Sequence, residues 1–365
     1  MRLLHFLLRE KGLVAGIATT VAFLTIGGEW LHHLSSLGTA AFFLAWLFAA
    51  ILACAFGVVR HADAVAHRLG EPLGTLVLTL SVTGMEVSMV SAAMLSGKSN
   101  PVLARDTMFA VVMIVLGGLV GFALLLGAFR HRQQEFNLEG ASSYLSLIVP
   151  LAIFGLVMPD LTVTTGGPTF SPFQSIVLAL LCTAIYAVFL AIQTNRHREF
   201  FSDPGEFHGH SSAPRTGLKR SFLLLAAYLV PAVILSKKLG LVLDFGTEKF
   251  GAPPALAGVV VACLILAPEG LSAIHAALEN KMQRSINLLL GSALATIALT
   301  IPSVLLIGVA FKTEVELGLP FHQVALLCVV LAVCFLTFAR GRTNLLQGAV
   351  HLVVFLMWLA LIFEG

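Results

Sequence analysis

The sequence predicts an all-α, polytopic membrane protein of about 11 transmembrane helices: a lone first helix plus two inverted five-helix repeats. Three observations carry that reading. Of the 365 residues, 58% are hydrophobic and only 11% are charged, which is the balance of a membrane protein. The apolar residues gather into runs of roughly the twenty residues that take a helix across the hydrocarbon core. Those runs also form two matching sets on either side of one substantial polar segment, 194–219.

The first run, 12–30, follows a basic start (Arg2, Arg9, Lys11) and leads into further spans. It therefore reads as a retained helix and not a cleaved leader. Five runs follow at 38–59, 73–97, 107–129, 143–159 and 171–193, with 143–159 the shortest. The second set occupies 220–238, 253–278, 286–310, 320–338 and 345–363. Matching runs begin 182, 180, 179, 177 and 174 residues apart. With an odd number of spans per set, the second set must enter the membrane upside down relative to the first. Such an inverted-topology repeat is typical of secondary transporters with a substrate site near the midplane. The expected division is thus 1–37 (first span), 38–193 (first repeat), 194–219 (cytoplasmic linker) and 220–365 (second repeat).

Lys and Arg in the connections set the orientation. With the N-terminus in the cytoplasm, 16 of these residues fall on the cytoplasmic side and 6 on the other, so the C-terminus is expected outside. The net charge of +3 is scattered along the chain and gives no footprint for nucleic acid. The five cysteines lie inside apolar runs without CxxC spacing and read as small buried hydrophobes. In the linker, His197, His208 and His210 stand near Glu199, Asp203 and Glu206; a solvated loop is the default reading, with a regulatory metal site the alternative. No HExxH, GxSxG or Walker-type loop marks an enzyme.

The informative residues are two glutamates alone in long apolar runs, Glu86 and Glu269. A carboxylate at the centre of a membrane helix costs about 2.5–3.5 kcal/mol on insertion scales, so a cation site is the expected gain. Thr79, Thr83 and Glu86 recur at spacings of four and three and share a helix face. Thr83 is a candidate ligand; its alternative is a hydroxyl bonded to a carbonyl one turn back. Gly84 is expected to admit a neighbouring backbone or a local break. Pro268, Glu269 and Gly270 are expected to kink or unwind their helix and to free carbonyls, which are hard oxygen ligands of the kind Ca2+ requires. In the next run, Gly291, Ser292, Ala295 and Thr296 form a small-residue face, and Ser292 is a second candidate ligand. His275 reads as a mouth or packing residue. Glu29, Asp106, Asp160 and Glu364 read as solvated residues at span ends.

The block from Ala267-Pro-Glu-Gly through Asn280 and Gln283 to Asn287–Pro302 resembles the second α-repeat of bacterial calcium/proton antiporters. The block from Gly70-Glu-Pro-Leu-Gly-Thr through Glu86 to Thr107 resembles their first. This is the cation/proton exchanger branch of the calcium/cation antiporter superfamily. The resemblance implies that Glu86 and Glu269 are paired carboxylates that bind the cation or protons, in a bacterial inner-membrane antiporter without a cofactor. Many members carry Asn three residues before each glutamate, where this chain has Thr83 and Leu266; Gln often stands where this chain has Ala295. The site is correspondingly less polar. Ca2+ is the expected substrate exchanged against H+, with Na+ or K+ as the alternative.

Overall fold

The computed structural model describes residues 9–32, 34, 36–70, 73–94, 101–201 and 217–364. The linker residues Asp203, Glu206, His208 and His210 lie outside the described residues, as do the side chains of Glu29 and Glu364. The apolar runs form helices α1 (Lys11–Thr25), α2 (Leu37–Leu69), α3 (Leu73–Met94), α4 (Leu103–His131), α5 (Leu138–Leu161) and α6 (Pro172–Arg196). They continue with α7 (Leu218–Phe250), α8 (Ala255–Leu278), α9 (Met282–Phe311), α10 (Phe321–Phe338) and α11 (Leu345–Glu364). Among the described residues, nine of these helices are long and apolar enough to cross a membrane, and α1 and α3 supply two shorter apolar stretches. The expectation of an all-α membrane protein of about eleven helices is met, nine of them long enough to span by length and composition. Matching helices of the two sets begin 181, 182, 179, 183 and 173 residues apart.

Two compact units divide the chain, and they cut across the expected repeats. The first comprises 1–103 and 210–265, the second 104–209 and 266–365. Each unit therefore draws on both halves of the sequence.

In the first unit, α2 and α7 pack along one another and α1 and α3 lie against both. Leu47, Ile51, Cys54 and Val58 of α2 recur at spacings of three and four and are fully buried, as are Ala232, Leu235 and Leu239 of α7. Each of the two helices has 33 residues, about 50 Å at 1.5 Å per residue, well beyond the hydrocarbon core. Both outrun the apolar runs 38–59 and 220–238. Charged residues leave the hydrocarbon without leaving the helix, and each helix stops only at a glycine with φ of 65°, Gly70 and Gly251. At Gly57 an added Cβ would stand 2.2 Å from the Tyr228 ring, so that crossing requires glycine.

In the second unit, α4 is the central helix. Of its apolar window 78% is buried, and Ala110 to Met113, Val115 and Leu116 are covered all round. It packs against α11 and α9, while α5 and α6 also pack on α9. The fifth span is longer than expected: α5 starts at Leu138 because the Asn137 side chain caps it, accepting from the N–H groups of Glu139 and Gly140. A two-residue antiparallel ribbon pairs Gln134 with Thr343 and Glu135 with Arg342. Cys54, Cys182 and Cys334 are buried as expected, but Cys263 is only half-buried and Cys328 is exposed on α10.

Among the described residues, four helices contain π-helical segments: 113–119 in α4, 153–157 in α5, 192–196 in α6 and 296–300 in α9. The segments in α4 and α9 begin at Met113 and Thr296, 183 residues apart. Glu86 and Glu269 have the same separation.

Candidate cation site

Glu86 lies midway along α3 at 3% exposure, with Thr83 one turn earlier at 6%. Met85, Met89 and Val90 are buried beside them, whereas Thr79 is only partly buried. The break expected at Gly84 is absent. Helix α3 runs from Leu73 to Met94, and nothing described lies within 4 Å of where a Cβ on Gly84 would stand. One glycine costs a helix about 1 kcal/mol, too little to open a turn held by buried neighbours.

Helix α8 likewise continues through Pro268, Glu269 and Gly270, against the expected unwinding. Proline withholds an N–H from the Leu264 carbonyl, yet Leu264, Ile265 and Leu266 are buried and hold the helical path. The Pro268 carbonyl is not released either, because the Ser272 hydroxyl donates to it at 2.8 Å. Gly270 serves contact: an added Cβ would stand 2.8 Å from the end of Leu119, the last residue of the α4 π segment.

The second unit brings Glu269 and Ser292 together. The Ser292 hydroxyl donates a hydrogen bond to the Glu269 carboxylate. Glu269 keeps some exposure as a residue, but its Oε2 is buried and has no hydrogen-bond partner among the described residues. A buried polar atom left without a partner costs about 1–3 kcal/mol, and more if charged. An oxygen in that state is completed by a proton or by a cation. One turn beyond Ser292, the π segment of α9 opens at Thr296, and both Thr296 and Thr300 are buried. Sequence periodicity does not reveal this widened turn. The one signal is Pro302, which offers no N–H to the Ala298 carbonyl.

The other residues of the second glutamate block serve structure. Asn280, at φ 62°, accepts from Gln134 Nε2 at 3.0 Å. Gln283 Oε1 accepts from the Asn137 N–H at 2.7 Å, and its Nε2 donates to Asn287 Oδ1 at 2.9 Å. Asn287 in turn donates to the Phe201 carbonyl at 2.6 Å. These bonds tie the α8–α9 turn to neighbouring connections. His275 is exposed and paired with Glu279 at 3.0 Å, as a mouth residue should be.

Two acidic residues depart from the sequence reading. Asp106, expected to be solvated, is buried and paired with Arg105 Nε at 2.8 Å, because α4 begins earlier than its apolar run. Glu10, which nothing in its local sequence marks, is 1% exposed. It accepts from Tyr228 Oη at 2.9 Å and His61 Nε2 at 3.3 Å and pairs with Arg60. Its partners lie 50 to 218 residues away, beyond any local signal.

Comparison with known proteins places this architecture. The model of the family "Sodium/calcium exchanger protein" matches residues 39–195 and 220–364. The sodium-potassium/proton antiporter ChaA of Escherichia coli K12 is 42% identical over 321 residues, 86% of each chain. A Ca(2+)/H(+) antiporter of Aphanothece halophytica is 25% identical over 348 residues, 90% of this chain and 91% of that one. The solved structure of native YfkE shares the fold at a TM-score of 0.75 and 21% identity, covering 97% of this chain and all of that one. The matched residues include both glutamate helices, so the resemblance read from those blocks is borne out. The chain belongs to the sodium/calcium exchanger protein family, as a multi-pass membrane exchanger of cations and not an enzyme.

Proposed function

We propose that Glu86 and Glu269 form one midplane site that binds Ca2+ or protons in turn, so that inward proton flow drives Ca2+ out of the cytoplasm. The observation that carries this reading is the buried Glu269 Oε2, which has no hydrogen-bond partner among the described residues. An ionised oxygen there calls for a cation, and a protonated one supplies its own hydrogen. The two occupants exclude each other at the same atom, which is what coupling requires. One Ca2+ against two protons would leave the site's charge unchanged through the cycle. Thr83 and Ser292 add neutral oxygens, and the shared 183-residue offset of the glutamates and the π segments supports a repeat around the site. The excess of basic residues in alternate connections supports a cytoplasmic N-terminus and an external C-terminus in a plasma membrane.

The test is Ca2+ uptake into inverted membrane vesicles with an acidic lumen. Glu86→Gln and Glu269→Gln are each expected to abolish uptake while inserting normally. Near-normal uptake by either variant refutes the two-glutamate site.

A second reading, exchange of Na+ or K+ through the same carboxylates, is favoured by the 42% identical relative named for sodium, potassium and protons. The sparse donor set agrees with it, since Ca2+ takes 6–8 oxygens. A panel of Ca2+, Na+, K+ and Mg2+ under an imposed pH gradient separates the two.

A further inference from the structure

One buried histidine within the spans has no part in the site described above. His351, in α11, is 0% exposed. Its Nδ1 lies 2.6 Å from the Leu116 carbonyl and its Nε2 lies 3.0 Å from Thr337 Oγ1. A carbonyl can only accept, so Nδ1 carries the proton. In a neutral ring Nε2 accepts from the Thr337 hydroxyl, so both nitrogens are bonded.

Leu116 sits in the middle of the α4 π segment. Widened turns of this kind displace carbonyls from the helical ladder and are frequent at functional sites. Helix α11 comes close enough to meet that carbonyl because α4 presents glycines. An added Cβ would stand 3.2 Å from Phe355 at Gly117 and at Gly118, and 2.9 Å from Leu352 at Gly121. Three residues after Leu116, the segment ends at Leu119, whose side chain rests on Gly270 next to Glu269. Thr337, His351, Leu116, Leu119, Gly270 and Glu269 thus form a continuous path of contacts within the second unit.

We propose that His351 is a positioning residue for cation exchange. It fixes the α4 π segment and, through Leu119, sets the turn of α8 that carries Glu269. This rests on the reading of Glu269 as a cation ligand. The imidazole suits the task because it spans from α10 to the α4 backbone and satisfies both of its nitrogens in a setting where an unbonded polar group is costly.

The test compares His351→Leu with His351→Asn, whose amide nitrogen stands near the place of Nδ1. Both are assayed for Ca2+ and Na+ exchange in vesicles under a fixed pH gradient. His351→Leu is expected to raise the half-saturating cation concentration about fivefold, in line with the loss of one interhelical polar contact in a membrane. His351→Asn is expected to remain near wild type. A merely structural role would reduce folded protein and maximal rate and leave half-saturation unchanged; that result overturns the proposal, as does failure of Asn to rescue. If His351→Leu does not fold, Gly270→Ala presses on Leu119 from the other side and must raise half-saturation; no change there overturns the proposal. Glu269→Gln in the same series separates the readings. Exchange surviving that substitution removes the ligand role of Glu269. Exchange lost there, with half-saturation unmoved in His351→Leu, removes only the role of His351.

Discussion

Replacing Ser292 by alanine removes the hydroxyl that donates to Glu269 and disturbs little else. The side chain is small and partly exposed, so no sizeable cavity opens. A hydrogen bond to a charged group contributes about 1.5–3 kcal/mol in soluble proteins. Polar contacts between membrane helices contribute less, about 0.6 kcal/mol on average and about 1.7 at most, because the unfolded chain in the bilayer also finds partners. The second range governs here, since α8 and α9 both cross the bilayer. The contact should lie near its upper end, because among the described residues the Glu269 carboxylate has a hydroxyl donor in Ser292 and its Oε2 has none. A loss of about 1–1.5 kcal/mol corresponds to a roughly five- to tenfold change in affinity. Ser292→Ala is therefore expected to raise the half-saturating cation concentration by that factor, with Ser292→Thr restoring it. The assay is initial exchange rate against cation concentration in vesicles at a fixed pH gradient. Half-saturation unchanged in Ser292→Ala, where Glu269→Gln is inactive, would refute the reasoning.

Glu10 gives a pH-dependent stability prediction outside the transport site. Burial pushes its carboxyl up, but hydrogen bonds from Tyr228 and His61 and the Arg60 charge outweigh burial and hold it below the ordinary carboxylate value. A depressed carboxylate contributes its full stability above its unfolded value and loses it as pH falls through the folded value. Glu10→Gln is thus expected to cost about 1.5–3 kcal/mol near neutral pH, read as a lower Tm in detergent, with the gap to wild type closing in acid; a gap that widens in acid counts against this assignment. Gly57→Ala sets a Cβ against the root of the Tyr228 ring, where its Cγ would be 2.6 Å away, so the ring must shift. The expected cost is about 1–3 kcal/mol. Because the shift also disturbs the Tyr228–Glu10 bond, the double variant should lose less than the sum of the two; strict additivity in Tm-derived free energies would disprove the coupling.

The spans were legible because the bilayer demands about twenty apolar residues and penalises anything else. The same signal misjudged where α2 and α7 end. Arg60, Asp63 and Arg68, like Asp244 and Lys249, leave the hydrocarbon while remaining helical, and composition reports only the first of those facts. Gly70 and Gly251 were the true stops and were visible as residues, but their role depends on φ. At Pro268 the sequence pointed the other way. A proline removes one hydrogen bond, and whether the helix then opens is decided by packing that no local motif contains. Glu86 and Glu269 stood out as candidates because an isolated carboxylate in a span is costly, and Ser292 because it is a polar member of a small-residue face in the next span. Glu10 did not, since it sits in an ordinary-looking charged start between Arg9 and Lys11, and its burial comes from Tyr228, 218 residues on.

The π segments of α4 and α9 give the strongest argument about how the two halves are related. Equal offsets alone would follow from any duplication of helix lengths. What differs is the means by which each widened turn is sustained. In α4 the segment contains Gly117 and Gly118 and has its Leu116 carbonyl taken by His351 from another helix. In α9 there is no glycine between Thr296 and Thr300; instead Pro302 follows within two residues and leaves the Ala298 carbonyl without its usual N–H. Two unrelated chemical devices thus arrive at the same backbone irregularity, each 27 residues after a glutamate in the sequence. In α4 the widened turn ends at Leu119, whose side chain rests against Gly270 beside Glu269. The difference between the two devices predicts an asymmetry. The α4 turn rests on a contact that a single substitution at His351 removes, whereas the α9 turn is written into its own segment and should tolerate changes on neighbouring helices.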